Sequence, residues 1–567
     1  MSRGEIHKSL MELQQLNYLN LSWNSFQGRG TLEFLSSLSN LRYLDLSYSD
    51  FGGKIPTQFG SLSNLKYLDL AWNSLEGSIP RQIGNLSQLQ HLDLRFNSFE
   101  GNIPSQIGNL SQLQHLDLSD NSLEGNIPSQ IGNLSQLQHL DLSMNQINGT
   151  LPDLSIFSSL RGLYLEGNKL NGEIPKDIKF PPQLERLDMQ SNSLKGVLTD
   201  YHFANMSKLD HLDLSDNSLL ALAFSQNWVP PFQLSHIGLR SCKLGPVFPK
   251  WLETQNQFDD IDISNAGIAD MVPKWFWANL AFQEWISMNI SYNNLRGIIP
   301  NFPTKNIQYS LTLGPNQFNG PIPPFLRGSQ ILDLSHNKFS DSLSFLCVNR
   351  TIETLYQLDL SNNHFSGKEI PRFLIYPITN SRKLTSLDFL DLSRNHLVGS
   401  IPSSLTQIDR LGVLDLSHNN LSGEIPTGTQ LQTFNASCYE DNLDLCGPPL
   451  EKLCADGKPP QEPIVKLPED EKLLFTREFY MSMAIGFVIS FWGVFGSILI
   501  KRSWRHAYFK FISNLSDAIY VMVAQVASRR IAGASLLRWK IQRDTFGGEK
   551  ASLTIGFGDR ERIKEGF

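Results

Sequence analysis

Apolar and polar positions follow one short formula along most of the chain. Leu-x-x-Leu-x-Leu-x-x-Asn-x-(Leu/Phe) is followed in many copies by Gly-x-Ile-Pro, and the formula returns every 24 or 25 residues. The stretch QIGNLSQLQHLDL occurs unchanged at 82, 106 and 130. The Asn position runs through Asn24, Asn73, Asn97, Asn121, Asn145, Asn168, Asn192 and Asn217, and resumes at Asn293, Asn316, Asn337, Asn363, Asn395 and Asn419. Ser49, Cys242 and Ala266 fall in the same register, which makes 17 repeats. Such a period means a stack of like units, because one unit cannot bury its own apolar face.

Within a unit the Leu-x-Leu segment alternates with period two, as a strand does, so Leu68 and Leu70 are predicted to point inward and Asp69 and Ala71 outward. Stacking places these strands in one parallel sheet on the concave face of an α/β-type solenoid. The repeated Asn carries both donors and an acceptor, which suits it to satisfying backbone groups in the turn after the strand, and stacked copies form a ladder. Cys242 in that register reads as a structural substitute. Gly frees the turn and Pro fixes extended backbone at Ile55-Pro56, Ile79-Pro80, Ile103-Pro104, Ile127-Pro128, Ile174-Pro175 and Ile425-Pro426.

The repeat with Gly-x-Ile-Pro resembles the plant-specific leucine-rich repeats of receptor kinases, receptor-like proteins and polygalacturonase inhibitors. Residues 1–430 form the repeat region, with a short interruption near 364–388 where the spacing stretches to 32 between Asn363 and Asn395. Residues 431–478 read as a Cys-containing cap followed by an acidic juxtamembrane segment. Cys446 and Cys454 are assigned as the cap's disulfide, and Cys438 is an odd thiol able to compete for either partner.

Residues 479–500, FYMSMAIGFVISFWGVFGSILI, carry no charge, and at ~1.5 Å per residue they span about 33 Å, enough for a membrane-crossing helix. Lys501, Arg502, Arg505 and Lys510 follow it, while Glu469, Asp470 and Glu471 precede it, so the C-terminus is expected in the cytosol and the repeats outside. Ser482, Gly486, Ser490, Gly493 and Ser497 recur at intervals that leave one helix face open to close approach by a partner helix. Sequons at Asn20, Asn85, Asn109, Asn133, Asn148, Asn205, Asn289, Asn349, Asn420 and Asn435 all precede the span, although Asn-Leu-Ser is also part of the repeat itself. The first residues show no signal-peptide core and start inside the repeat pattern, so an incomplete N-terminus or a truncated copy is expected, and secretion of the chain as written depends on it.

Bulk charge changes the picture only by exclusion. The net charge is −7, so nucleic acid is not an expected partner. Residues 501–567 carry 13 Lys and Arg against 6 Asp and Glu, a short basic tail far too small for a kinase. His91, His115 and His139 recur just before the strand leucines, and Asp45, Asp69, Asp93, Asp117 and Asp141 recur within the strands. Both columns read as duplicated polar surface. No catalytic group, cofactor or metal is expected.

A ligand surface is expected where the residue before the ladder Asn varies. Trp23, Tyr48, Trp72 and Phe96 occupy it in four successive repeats, followed by Asp120 and Met144. At ~4.8 Å per strand the aromatics form a stripe about 15 Å long with Arg95 beside its end. Two readings stand: exposed aromatics beside a cation as a binding surface, or bulky residues packing on one another.

The order of repeats, short island, repeats, Cys-pair cap, acidic stretch, single span and short tail resembles plant receptor-like proteins. NWVPPFQL, LRSCKLGPVFPKWL and KRSWRHAYFKFI resemble the subgroup that includes fungal-xylanase receptors. The resemblance implies a plasma-membrane protein that perceives an extracellular protein, peptide or glycan, microbial or endogenous. It also implies signalling through an adaptor leucine-rich-repeat receptor kinase joined at the membrane helix, and a co-receptor kinase. Two alternatives are a membrane-held inhibitor of secreted wall-degrading enzymes and a truncated, non-functional decoy.

Overall fold

The computed structural model describes residues 8–26, 32–280, 285–302, 308–343, 355–367, 386–428 and 430–454. The chain divides into two compact units, 1–456 and 457–567, and all described residues lie in the first. The apolar run 479–500 with its small residues, the sequon at Asn349 and most of the island therefore lie outside the described residues. Among the described residues no helix is long and apolar enough to cross a membrane.

Each repeat contributes one three- to five-residue strand to a 17-stranded parallel sheet, running from Tyr18–Asn20 through Tyr43–Asp45 and Tyr67–Asp69 to Val413–Asp415. The register is set by the leucines, Leu19 on Leu44 and Leu92 on Leu116, and their side chains form the core with essentially no exposure. Fully burying each such side chain contributes roughly 1.5–3 kcal/mol, and every leucine touches the repeats on either side. After the turn a second short strand begins. These second strands form further parallel sheets, one from Gly52–Gly53 to Lys169–Leu170 and another from Arg296–Gly297 to Asp444–Cys446. Pro56, Pro80, Pro104 and Pro128 then hold extended backbone, and each opens a 3-10 turn such as Ser105–Asn109.

The asparagine ladder binds repeats to one another. Asn97 donates through Nδ2 to the carbonyls of Leu70, Leu94 and Arg95, and its Oδ1 accepts from the Leu75 N–H at 3.0 Å. Ser49 takes the rung with its hydroxyl on the Leu21 carbonyl at 2.8 Å, and buried Cys242 donates its thiol to the Leu214 carbonyl at 3.1 Å. Burial pushes that thiol up to about 12, which fits an inert structural group.

The structure corrects two sequence expectations here. Ala71 does not face solvent; it is buried, because the neighbouring columns on the sheet face close over so small a side chain. The ladder also does not end at Asn419. Asn442 forms a further rung inside the cap, donating to the Leu416 and Tyr439 carbonyls and accepting from the Leu421 N–H at 2.9 Å. The strand Asp444–Cys446 then pairs with Asn420–Glu424, so the cap is a partial repeat. Cys446 is joined to Cys454 with 5.0 Å between their Cα atoms, while Cys438 is a free, partly buried thiol.

Candidate functional site

The strands leave columns of side chains on the open side of the sheet, among them the position before the ladder Asn, the Asp position and the His position. In these repeats the residue before the ladder position adopts left-handed backbone: φ is 60° at Trp23, 52° at Tyr48, 55° at Trp72, 49° at Phe96, 51° at Asp120 and 50° at Met144. Their N–H groups are fixed on the next repeat, Trp72 on the Arg95 carbonyl and Phe96 on the Ser119 carbonyl. This turn geometry favours Gly or Asn and disfavours bulky residues. Gly167 occupies the position in a later repeat with φ 65°.

The rings stack along the stripe. Trp23 and Tyr48 lie 4.2 Å apart between centroids, Tyr48 and Trp72 5.1 Å, and Trp72 and Phe96 3.6 Å, all within 18° of parallel. Both sequence readings thus meet in one object: ring faces cover one another, while ring edges stay open. Trp23, at one end, is 74% exposed, and Trp72 and Phe96 retain 39% and 37%. Beside the last two rings the surface dips into an open hollow of about 510 Å³, continued by Asp120 and Met144 and walled by Asp50, Ser74 and Ser98. Ser74 and Ser98 begin second strands, so the hollow lies where the main sheet turns into the second one, a place the linear pattern did not indicate.

Arg95 is not a free cation at the end of the stripe. Its guanidinium lies 3.4 Å from Asp93 and 3.2 Å from Asp117. Nor are the Asp and His columns open polar surface. Asp93 and Asp117 are buried, and the Asp117 carboxylate also accepts from the Ser119 N–H and hydroxyl. Burial and the neighbouring carboxylates of Asp117 and Asp69 push Asp93 up to about 8 despite Arg95, and burial pushes Asp69 and Asp141 up to about 6. The imidazoles stack as the aromatics do, His91 on His115 at 4.2 Å and His115 on His139 at 4.4 Å. The columns close over each other because strands lie only ~4.8 Å apart, so flat side chains in register shield one another from water.

Comparison with known proteins agrees with this geometry. A leucine-rich repeat region model matches residues 58–259, and the Leucine Rich Repeat model matches 40–62, 354–374, 386–408 and 410–430. Receptor-like protein EIX2 of Solanum lycopersicum is 29% identical over 551 residues, covering 59% of this chain and 53% of that one. Receptor-like protein EIX1 of the same plant is 30% identical over 534 residues, covering 56% and 51%. The chain belongs to the leucine-rich-repeat proteins, and the relatives it is similar to are plant receptor-like proteins. The chain spans about half the length of the curated relatives it matches. Among solved structures it resembles the leucine-rich-repeat ectodomain of the receptor kinase GASSHO1/SCHENGEN3 from Arabidopsis thaliana, in complex with CASPARIAN STRIP INTEGRITY FACTOR 2. The TM-score is 0.65 at 28% identity, covering 80% of this chain and 53% of that one. A TDR receptor gives a TM-score of 0.54 at 26% identity, covering 78% and 76%.

Proposed function

We propose that the chain is the ligand-recognising part of a cell-surface receptor-like protein. It engages an extracellular ligand along the aromatic stripe and hollow and signals through a partner receptor kinase joined at the apolar segment 479–500. One observation carries the ligand site: four stacked aromatics held on left-handed backbone beside an open hollow. The solenoid does not need those side chains to fold, since Gly167 and Asp120 serve the same turn. Ring faces already occupied by stacking leave edges and the polar wall of the hollow for the ligand. That geometry favours an extended peptide crossing the strands over a sugar ring lying flat on an aromatic face. The receptor-like proteins among the relatives and the ligand-bound GASSHO1/SCHENGEN3 ectodomain support the same reading.

The test is the double substitution Trp72→Ala with Phe96→Ala in the full chain expressed in plant cells, probed with purified fungal xylanase and a panel of apoplastic peptides. Binding of whichever probe the parent chain captures is expected to fall by about 100-fold, as loss of two aromatic anchors implies, with surface abundance unchanged. Equal binding by parent and variant removes the stripe from the site.

The same topology makes the sequons unequal. Asn85, Asn109 and Asn133 end successive 3-10 turns with exposed side chains. Asn20, also exposed, and half-buried Asn289 lie in the Asp column of the sheet face, where their Nδ2 groups donate to Asp45 at 2.9 Å and Asp262 at 3.3 Å. Glycopeptide mass spectrometry of the secretory-pathway product is expected to find Asn85, Asn109 and Asn133 occupied and Asn20 and Asn289 bare. Full occupancy at Asn289 would show that the sheet face forms only after glycan transfer.

A further inference from the structure

We infer that His91, His115 and His139, with Asp93 and Asp117, form a site for one divalent zinc-type ion on the sheet face. Two overlapping sets, His91–Asp93–His115 and His115–Asp117–His139, each bring two imidazole nitrogens and a carboxylate oxygen to within 4.8 Å of one another. Two nitrogens and one oxygen suit zinc and leave a fourth position for water or a ligand group. A tetrahedral ion needs donors roughly 3.3–3.6 Å apart. Rotation of the imidazoles out of their parallel stack supplies that contraction without moving the strands, which already hold the three residues in register.

The imidazoles are also without competing partners. Among the described residues no hydrogen bond or ion pair holds the imidazole of His91, His115 or His139, and the buried Nε2 of His91 has no partner. Tyr67 stacks on His91 at 4.2 Å and Tyr164 tilts over His139 at 5.2 Å, closing the column at both ends.

A second histidine pair in the same column gives the contrast. His236 lies between Asp213 at 3.2 Å and Asp260 at 2.7 Å, and those carboxylates raise it to about 9. That imidazolium has no lone pair to offer. At the proposed site the competing cation is Arg95, which holds both Asp93 and Asp117. The ion must displace it, and binding therefore strengthens when Arg95 is removed.

The experiment is Zn²⁺ competition against a chromophoric chelator, on the purified full-length chain and its variants. One ion per chain is expected above the background of His115→Ala, which removes the ligand common to both sets. His91→Ala keeps the second set and is expected to weaken binding by about 10-fold, within the range for losing one support of a metal site. Arg95→Gln is expected to tighten binding by about 10-fold, and His236→Ala to leave it unchanged. Melting temperatures and the conservative His115→Gln separate loss of the site from loss of fold. Equal zinc binding by the parent chain and both folded His115 variants overturns the inference, as does an equal loss in His236→Ala.

Discussion

Asn145→Ala is expected to lower the stability of its part of the solenoid by ~3 kcal/mol. Asn145 donates to the carbonyls of Leu118, Leu142 and Ser143 at 2.9–3.2 Å, and its Oδ1 accepts from the Leu123 N–H at 2.9 Å. The carbonyl side of this loss is cushioned. Leu118 also accepts from Asn121, and Leu142 from Asn168, so each retains a donor. The Leu123 N–H has no such second partner and is left buried and unpaired, the more costly half of a broken hydrogen bond.

The three rungs that are not Asn show what is needed to avoid that cost. At Cys242 the chain is shifted by one residue, so that Leu220 rather than Leu219 is buried, and the Leu220 N–H is turned onto the Asn217 carbonyl at 2.9 Å. At Ala266 the Leu244 N–H takes the Ala266 carbonyl at 3.0 Å, and at Ser49 the Phe26 N–H takes the Ser49 carbonyl at 3.0 Å. In every case the backbone supplies the acceptor that the side chain lacks. Cys242→Ala is therefore expected to cost at most ~1 kcal/mol, the net worth of one weak bond. Urea unfolding of the two variants with local hydrogen exchange measures the difference. Equal destabilisation would mean that the ladder acts by packing alone.

This contrast marks where the sequence is sufficient and where it is not. The leucines and asparagines announce themselves because their roles repeat with the period, and a residue such as Leu116 or Asn97 has the same neighbours in every copy. The sheet face is different. Its strands show plain alternation, which predicts an outward Asp93, yet the columns from adjacent repeats lie close enough to bury that carboxylate and to stack His91 on His115. Arg95 and Asp117 are 22 residues apart, so their ion pair is visible only once the repeats are laid side by side. The stripe was legible as four aromatics at one position; the hollow beside it was not, because Asp50, Ser74 and Ser98 come from turns whose path the alternation does not describe. Asn442 was missed for a simpler reason. It stands 23 residues after Asn419, in register, but the leucines that normally frame a rung are replaced there by Ser437 and Tyr439.

The second large effect is steric. Gly108→Ala is expected to destabilise the array by ~3 kcal/mol, at the top of the range for overpacking, although the position is neither left-handed nor in a strand. Gly108 lies in the 3-10 turn Ser105–Asn109, directly under the same turn of the next repeat. A methyl group there would fall against the backbone carbonyl oxygen of Gln130, 2.7 Å from its carbonyl carbon and 2.8 Å from its Cβ. Gly84 faces Gln106 in the same way. The carbonyl cannot rotate aside, since the turns on both sides are held by the ladder and by the strands, so relief requires the repeats to separate and uncover leucines on both faces. Gly132, the next copy, is the control. There an added methyl group meets only the Cδ1 and Cγ1 atoms of Ile156, a side chain that is 44% exposed and free to swing away. Gly132→Ala is expected to change stability by less than about 0.5 kcal/mol, as a surface substitution does. Identical sequence at the two positions with opposite outcomes would show that the glycine is held by the approach of the following repeat, not by the turn in which it sits. Thermal melts of the two single variants decide it, and matching losses would return the glycine's role to the conformation of its own turn.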